Sequence, residues 1–565
     1  MATLRLGSRL IPAASSGARG MATGLMGLMQ HHDLTIASLI EHSGKVYGAT
    51  ELVSRTIEDN SQFHTYTYSD ALARSKQLAS ALGKLGVEKG DRVATIAWNG
   101  YRHFEAYYGV SGMGAVLHTI NPRLHPDQMV YILGHAEDKV LMVDLTFYKG
   151  ALGLLQAKLP SLKTLVVLTD RANMPADAPA GVVCFEDLIG AESAAYEWPK
   201  VEEGAAAAMC YTSGTTGNPK AVLYSHRSTV LHAWNMVSPN VFGLGSTDTM
   251  LPVVPMFHVN AWGLPYASCI AGCKVVFPGA AMDGASIYDS LKRFGVNKSA
   301  GVPTVYGALL QHMSDSKSSL PDLNTLIIGG AACPPSMIRA FDEHGVDAVH
   351  AWGMTEMSPT GVCNTPKHGH EQMRYEEKFA TRVAQGRQLY GCELKCVGEG
   401  GEELPRDGKT SGTLMVRGNW VCQDYYKTDK PGADEDGWFD TGDVACIDSD
   451  GYLFITDRTK DMIKSGGEWI SSIDIENVAL EHPGLAQAAC IGVPHAKWGE
   501  RPLLVVVAKG EEPPKEEILS VVSSKVHKFQ VPDDVIFVKG LPIGGTGKIL
   551  KRELRDEYRQ HLASK

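Results

Sequence analysis

No stretch of the 565-residue chain reaches the ~18 or more consecutive apolar residues of a membrane-spanning helix. Clustered basic residues are missing too. The 53 Lys and Arg are scattered among 63 Asp and Glu, for a formal net charge of −10. That balance excludes a general nucleic-acid binder, because neutralising phosphates takes concentrated cations. The 11 cysteines include Cys269/Cys273 and Cys392/Cys396 at x3 spacing, without the further Cys or His that a zinc site needs, so they read as reduced thiols of a reducing compartment. There is no internal repeat and no low-complexity block. What is present, 44% hydrophobic and 21% charged residues, is the composition of a soluble globular chain. Its length suggests roughly three to four domains or subdomains.

Acidic residues are absent before Asp33, while Arg5, Arg9 and Arg19 stand among serines, and Leu4, Leu6, Leu10 and Ile11 supply a modest apolar face. This is the pattern of a mitochondrial transit peptide, so residues 1–30 are expected to be an import leader or a tail, with a cytoplasmic location as the alternative. The last residues, "HLASK", lack the Ser-Lys-Leu peroxisomal address.

From Asp33 onward, β-branched runs such as "RVATIAW", "KVLMVD", "TLVVLTD", "CKVVFPG" and "TLIIGG" alternate with helical segments such as "SDALARSKQLASALGKLG". The fold class is therefore α/β, with layers and largely parallel pairing. After Arg417 the texture turns to Gly, Asp and Lys. "GTLMVRG" and "GYLFITD" read as strands of a smaller sheet, and "RTKDMIKSGGEWIS" as a stretch without a core pattern. The expected division is a large multi-layer body, residues 31–457, and a small mobile α+β lid, residues 458–565.

"YTSGTTGNPK" (Tyr211 to Lys220) follows the apolar strand "AAAAMCY" and precedes the helix "SHRSTVLHAWNMV". Its glycines Gly214 and Gly217 let backbone N–H groups approach a ligand; Thr212, Ser213, Thr215 and Thr216 add hydroxyls, and Lys220 adds a cation suited to phosphate oxygens. It is a polyphosphate grip in composition, but neither it nor "GGTGKI" is a Walker A loop.

This stretch resembles the signature loop of the adenylate-forming superfamily of acyl-CoA synthetases, luciferases and peptide-synthetase adenylation domains. "PMFHVNAW", "GGAAC", "HAWGMTEMSP", "WFDTGD", "DRTKDMIKSGGEWIS" and "PIGGTGK" follow in that family's order, over roughly residues 35 to 560. The resemblance implies ATP, Mg2+ and CoA as co-substrates or activating ion, and a carboxylic acid as substrate. It places Glu356, with Thr216, at the metal, and Thr355 at the α-phosphate. Gly330, Ala331 and Ala332, beside Trp352 and Gly353, would form the adenine slot. Asp443 and Arg458 would bind the ribose. Lys548 would bridge the substrate carboxylate and the α-phosphate, Lys460 would be the hinge of the lid, and Ser465, Gly466, Gly467 and Glu468 would line the pantetheine path.

His258 resembles the family residue at the carboxylate end of the acyl pocket, with Trp262 as the residue type that gates the tunnel and Gly301, Val302 and Pro303 as further lining. "PMFHVNAWGLPYA" and "AGVPTVY" look most like bacterial medium- and long-chain fatty acyl-CoA synthetases, and also like methylmercaptopropionate-CoA ligases. "VNAWGLPYA" has no acidic residue, so a buried substrate ammonium would stand unpaired and an amino-acid substrate is not expected. A non-CoA acceptor remains an alternative, as does a catalytically idle nucleotide binder. Some relatives dimerise, which leaves a homodimer open.

Overall fold

The computed structural model describes residues 28–157, 159–212, 218–320, 322–544 and 548–563. The expected leader therefore falls almost wholly outside the described residues. The chain divides into Met1–Asp33, whose described residues 28–33 hold no helix or strand, and a compact unit Leu34–Lys565. Among the described residues, no helix is long and apolar enough to cross a membrane.

Fully buried parallel strands need apolar residues on both faces, which is why the short runs lack alternation. One seven-stranded sheet is ordered Val182–Cys184, Thr164–Val167, Asp138–Val143, Arg92–Ile96, Val116–Thr119, Ala206–Thr212 and Lys220–Ser225, parallel except for the last pair. The amphipathic helix Tyr68–Lys84 starts on a capping box of Thr67 and Asp70, and buries Ala71, Leu78, Ala79 and Leu82.

A 13-stranded sheet changes character along its width. Thr249–Pro252, Lys298–Gly301, Thr325–Ile328 and Asp347–Gly353 are parallel, and from Thr360–Cys363 onward the pairing is antiparallel. Gly412–Gly418 and Tyr452–Arg458 belong to that antiparallel end, so "GTLMVRG" and "GYLFITD" extend the large sheet rather than building a small one. The parallel strands of both sheets end at Thr212, Gly301, Ile328 and Gly353, and loops beyond carboxyl ends of such strands are where α/β folds place ligands.

The C-terminal domain has its own five-stranded sheet. Its first hairpin, Ile463–Ser465 with Glu468–Ile470, comes from the segment that reads as patternless; Ile463 and Ile470 are fully buried beneath it. Helices Ser472–Ala479 and Lys515–Ser523 pack Ile475, Ile518 and Val522 on one face, and Lys551–Glu557 packs Leu554 on the other. A mixed α/β body and a small C-terminal domain are thus both present.

The junction is polar and closed. Asp457, 1% exposed at the end of the body strand, accepts bonds of 2.6 Å each from the Ser472 backbone N–H and Oγ. Lys551 donates to Ser472 Oγ at 2.6 Å and pairs with Glu476 Oε1 at 2.7 Å.

Candidate active site

The residues flanking the signature loop form a β-hairpin, correcting the expected strand, loop and helix order. Thr212 pairs with Lys220, the strand Lys220–Ser225 runs back antiparallel, and only then does the helix His226–Met236 begin on its Ser225 cap. Lys220 thus projects from an ordered strand end, not from a helix N-terminus. Ser213, Gly214, Thr215, Thr216 and Gly217 lie outside the described residues.

One wall is built by neighbouring strands. Ile328 pairs with His350, which sets Gly330, Ala331 and Ala332 beside Trp352 and Gly353. A Cβ at Gly353 would sit 2.0 Å from the Pro359 carbonyl oxygen, so only glycine permits the bulge there. Trp352 turns its indole N–H to Asp443 Oδ2 at 2.9 Å, and Arg458 Nε lies 3.3 Å from Asp443 Oδ1. Asp443 is only 4% exposed; burial raises its carboxyl pKa, and Arg458 and the Trp352 bond oppose that shift. The Arg458 side chain is 46% exposed.

A second wall holds Glu356 in the short 3-10 turn Thr355–Met357. Tyr224 Oη donates to the Thr355 carbonyl at 2.8 Å, and the Cys422 N–H donates to the Glu356 carbonyl at 2.6 Å. The Glu356 residue is 7% exposed, and its Oε1 accepts from Tyr425 Oη at 2.7 Å. Lys220 Nζ stands 4.6 Å from the centroid of the same Tyr425 ring. Tyr224 and Tyr425 are absent from the motif reading; the "DYYK" tyrosine pair after Cys422 is the one local signal that could have pointed to Tyr425.

Lys548 enters this space from the C-terminal domain. It is half-buried, and burial lowers its ammonium to about 8, helped by the Arg458 and Lys460 cations and opposed by Asp443 and Glu356. The lysine thus feels both walls at once. His258 is within its field as well: burial first, then the Lys548 charge, pushes the imidazole down to about 3, so His258 is neutral at physiological pH.

The side expected to take the acyl group is tightly packed. Val259, Asn260, Ala261 and Trp262 have φ of 46°, 52°, 49° and 56°, a full left-handed turn. Each such residue costs ~1–2 kcal/mol, so the surrounding core must impose the turn. It presses Trp262, 7% exposed, toward Gly329 and Gly330, where added Cβ atoms would lie 3.3 and 3.5 Å from the indole. Val302 Cγ1 approaches Gly330 to 3.3 Å by the same measure. Pro303 starts the helix Pro303–Ser316, and Gly301 faces the buried Tyr306 ring, so its part is packing rather than lining.

Of the other expected site residues, Lys460 reaches this space through its charge on Lys548. Ser465 is buried and its Oγ accepts from Arg501 at 3.2 Å, so only its backbone is available; Gly466 packs on Trp498, and Gly467 and Glu468 are exposed in the hairpin turn. Lys460 is exposed just after the last body strand, with its pKa lowered by desolvation and then by Arg458.

The profile of the AMP-binding enzyme family matches residues 41–426, and that of the AMP-binding enzyme C-terminal domain matches residues 474–548. The chain belongs to the AMP-binding enzyme family. Among similar family members, a medium-chain-fatty-acid–CoA ligase of Ectopseudomonas oleovorans is 48% identical over 94% of this chain and 98% of its own length. A 3-methylmercaptopropionyl-CoA ligase of Ruegeria lacuscaerulensis is also 48% identical, over 95% of this chain and 100% of its own. Among solved structures, the anthranilate-CoA ligase AuaEII in complex with anthranoyl-AMP superimposes with a TM-score of 0.83 at 26% identity, covering 93% of this chain and 98% of that one.

Proposed function

We propose that the protein is an AMP-forming acyl-CoA ligase that activates a carboxylic acid with ATP and passes the acyl group to CoA. The observation that carries this reading is that Lys548, from the small domain, stands close enough to Glu356, Asp443 and Arg458 for their charges to act on it, and to His258 for its own charge to act there. A movable cation in that position suits a reaction in which negative charge grows between a carboxylate and an α-phosphate.

In the first half-reaction a carboxylate oxygen attacks the α-phosphorus and the bond to pyrophosphate breaks, giving acyl-AMP. Lys548 bridges the two anions, Lys220 holds released phosphate charge, and Asp443 and Arg458 fix the ribose while Trp352 keeps Asp443 aligned. Neutral His258 can donate to the acid without trapping it in an ion pair. In the second half-reaction the CoA sulfur attacks the acyl carbon, its bond to the AMP oxygen breaks, and the thiol proton leaves to solvent. The small domain is inferred to turn about Lys460 between the two steps, bringing the Ser465–Glu468 turn to the thiol path.

A single buried carboxylate fits magnesium, which takes one or two protein carboxylates beside substrate phosphates, and the Tyr425 hydroxyl engages Oε1 of Glu356 rather than Oε2. Among the described residues no cluster of three or more His, Cys, Asp or Glu would make an all-protein metal site. When bound, magnesium would neutralise phosphate charge and make pyrophosphate a better leaving group.

The substrate is proposed to be a medium-chain fatty acid; the equal identity of the methylmercaptopropionyl-CoA ligase supports a short thioether acid as second reading. AMP release with and without CoA, against butyrate, octanoate, palmitate, 3-methylthiopropionate and cinnamate, tests both. A peak at octanoate supports the first and a peak at the thioether acid the second, while equal AMP release without CoA sinks the ligase reading. The acid-free, arginine-bearing residues 1–30 are proposed to direct mitochondrial import, tested by fusing them to a fluorescent protein.

A further inference from the structure

Lys220 and Glu356, two groups of opposite charge, both contact one aromatic side chain. Tyr425 donates its hydroxyl to Glu356 Oε1 at 2.7 Å and offers its ring to the Lys220 ammonium, 4.6 Å from the centroid. The loop that carries it is tied on both sides of this contact. Cys422 N–H donates to the Glu356 carbonyl at 2.6 Å, and Tyr426 N–H donates to the Ala221 carbonyl at 2.9 Å. The ring itself rests edge-on against Phe439 at 6.0 Å.

We infer that Tyr425 is a positioning residue that keeps Lys220 and Glu356 apart and aims the carboxylate, so that each meets its own part of a metal–nucleotide ligand. A lysine free to reach a buried carboxylate would form an ion pair with it, and both charges would be spent on each other. A ring face attracts the ammonium without neutralising it. A phenol hydroxyl occupies one carboxylate oxygen, fixes the plane, and leaves the second oxygen and the full charge available. The inference rests on the proposed nucleotide reading, since it concerns how that site is kept ready.

The experiment measures ATP affinity of the full-length protein by calorimetry, in EDTA and in Mg2+, for wild type, Tyr425→Phe, Tyr425→Leu and the double variant Tyr425→Leu/Glu356→Gln. Thermal melts confirm folding. Tyr425→Phe keeps the ring, so affinity in EDTA is expected to match wild type, while the gain produced by Mg2+ shrinks about tenfold through loss of a charge-assisted hydrogen bond. Tyr425→Leu also weakens binding in EDTA, because Lys220 then reaches Glu356. Adding Glu356→Gln to that variant restores affinity in EDTA, a rescue that a merely structural tyrosine would not give. An unchanged Mg2+ gain in Tyr425→Phe, or equal losses with and without metal, overturns the inference and leaves the nucleotide reading standing. A wild-type protein that binds no ATP overturns both.

Discussion

Two regions of the molecule present a lysine to the same space by different means. Lys220 is exposed, but its backbone is the first link of a strand laddered to Ala206–Thr212, inside a seven-stranded sheet. Lys548 is half-buried, on a small loop closed by the bridge between Ile543 and Ile549 and by the Gly544 N–H bond to its own carbonyl at 2.7 Å, in a domain with a separate sheet. The first lysine is anchored where it stands, and under the proposed function the second is delivered by a domain. An anchored cation serves binding, present equally in ground and transition states. A delivered one can act at one step and be withdrawn for another.

The largest expected effect is that of Lys548→Ala. Removing a preorganised charge that acts on the transition state costs roughly 10²–10³ in rate. Adenylation, followed by ATP–pyrophosphate exchange, should fall by that factor, while thioester formation from supplied acyl-AMP stays within a few fold. Equal loss in both half-reactions would mean that Lys548 is not withdrawn, and the contrast fails.

The pH dependence follows from the same residue. With its ammonium lowered to about 8 by burial and by neighbouring cations, Lys548 carries its charge below that pH and loses it above. The kcat/KM for adenylation reports the free enzyme, so it should be flat up to about pH 8 and then fall about tenfold per unit. Lys548→Arg stays protonated throughout, so its residual activity should lack that falling limb. A limb that persists in the arginine variant would assign it to another group.

Much of this fold was legible because buried parallel strands leave continuous apolar runs and helices leave spaced ones. Two local errors have physical causes. "KAVLYS" is too short a run to separate from the helix after it, so the signature hairpin reads as strand, loop and helix. In the hairpin of Ile463–Ser465 and Glu468–Ile470 the first strand buries alternate residues and the second only Ile470, and glycines and charges hide so short a pattern. The motif residues Trp352, Glu356, Asp443, Arg458 and Lys548 do converge, yet the bonds that hold them were not readable. Trp352 and Asp443 are 91 residues apart, and Tyr425 and Glu356 are 69 apart, and no linear pattern encodes such pairings.

For the anchored lysine the prediction is smaller and of another kind. Lys220→Ala should raise the KM for ATP about tenfold, the equivalent of ~1.4 kcal/mol, and leave kcat within a few fold. A kcat loss as large as that of Lys548→Ala would show that both cations act on the transition state, and the distinction between anchored and delivered would dissolve.

The smallest effect concerns what holds the delivering domain in place. Ser472 opens the helix Ser472–Ala479 beyond Lys460, and gives both its N–H and its hydroxyl to Asp457 at 2.6 Å, on the body side of Lys460. A carboxylate at a helix N-terminus gains from the helix dipole as well as from the bonds. Ser472→Ala removes its hydroxyl bond to Asp457 and one acceptor of Lys551, which keeps its pairing with Glu476, and leaves Asp457 and the neighbouring Arg458 and Asp443 intact. If these contacts hold the domain where Lys548 works, adenylation should slow by about two- to fivefold, the scale of one net hydrogen bond at the lower end of its range. Thioester formation from acyl-AMP should be unchanged or faster, because the same domain then leaves more readily. Slowing of both half-reactions would place the bond in the general stability of the domain, and the delivery of Lys548 would have to be held by something other than this junction.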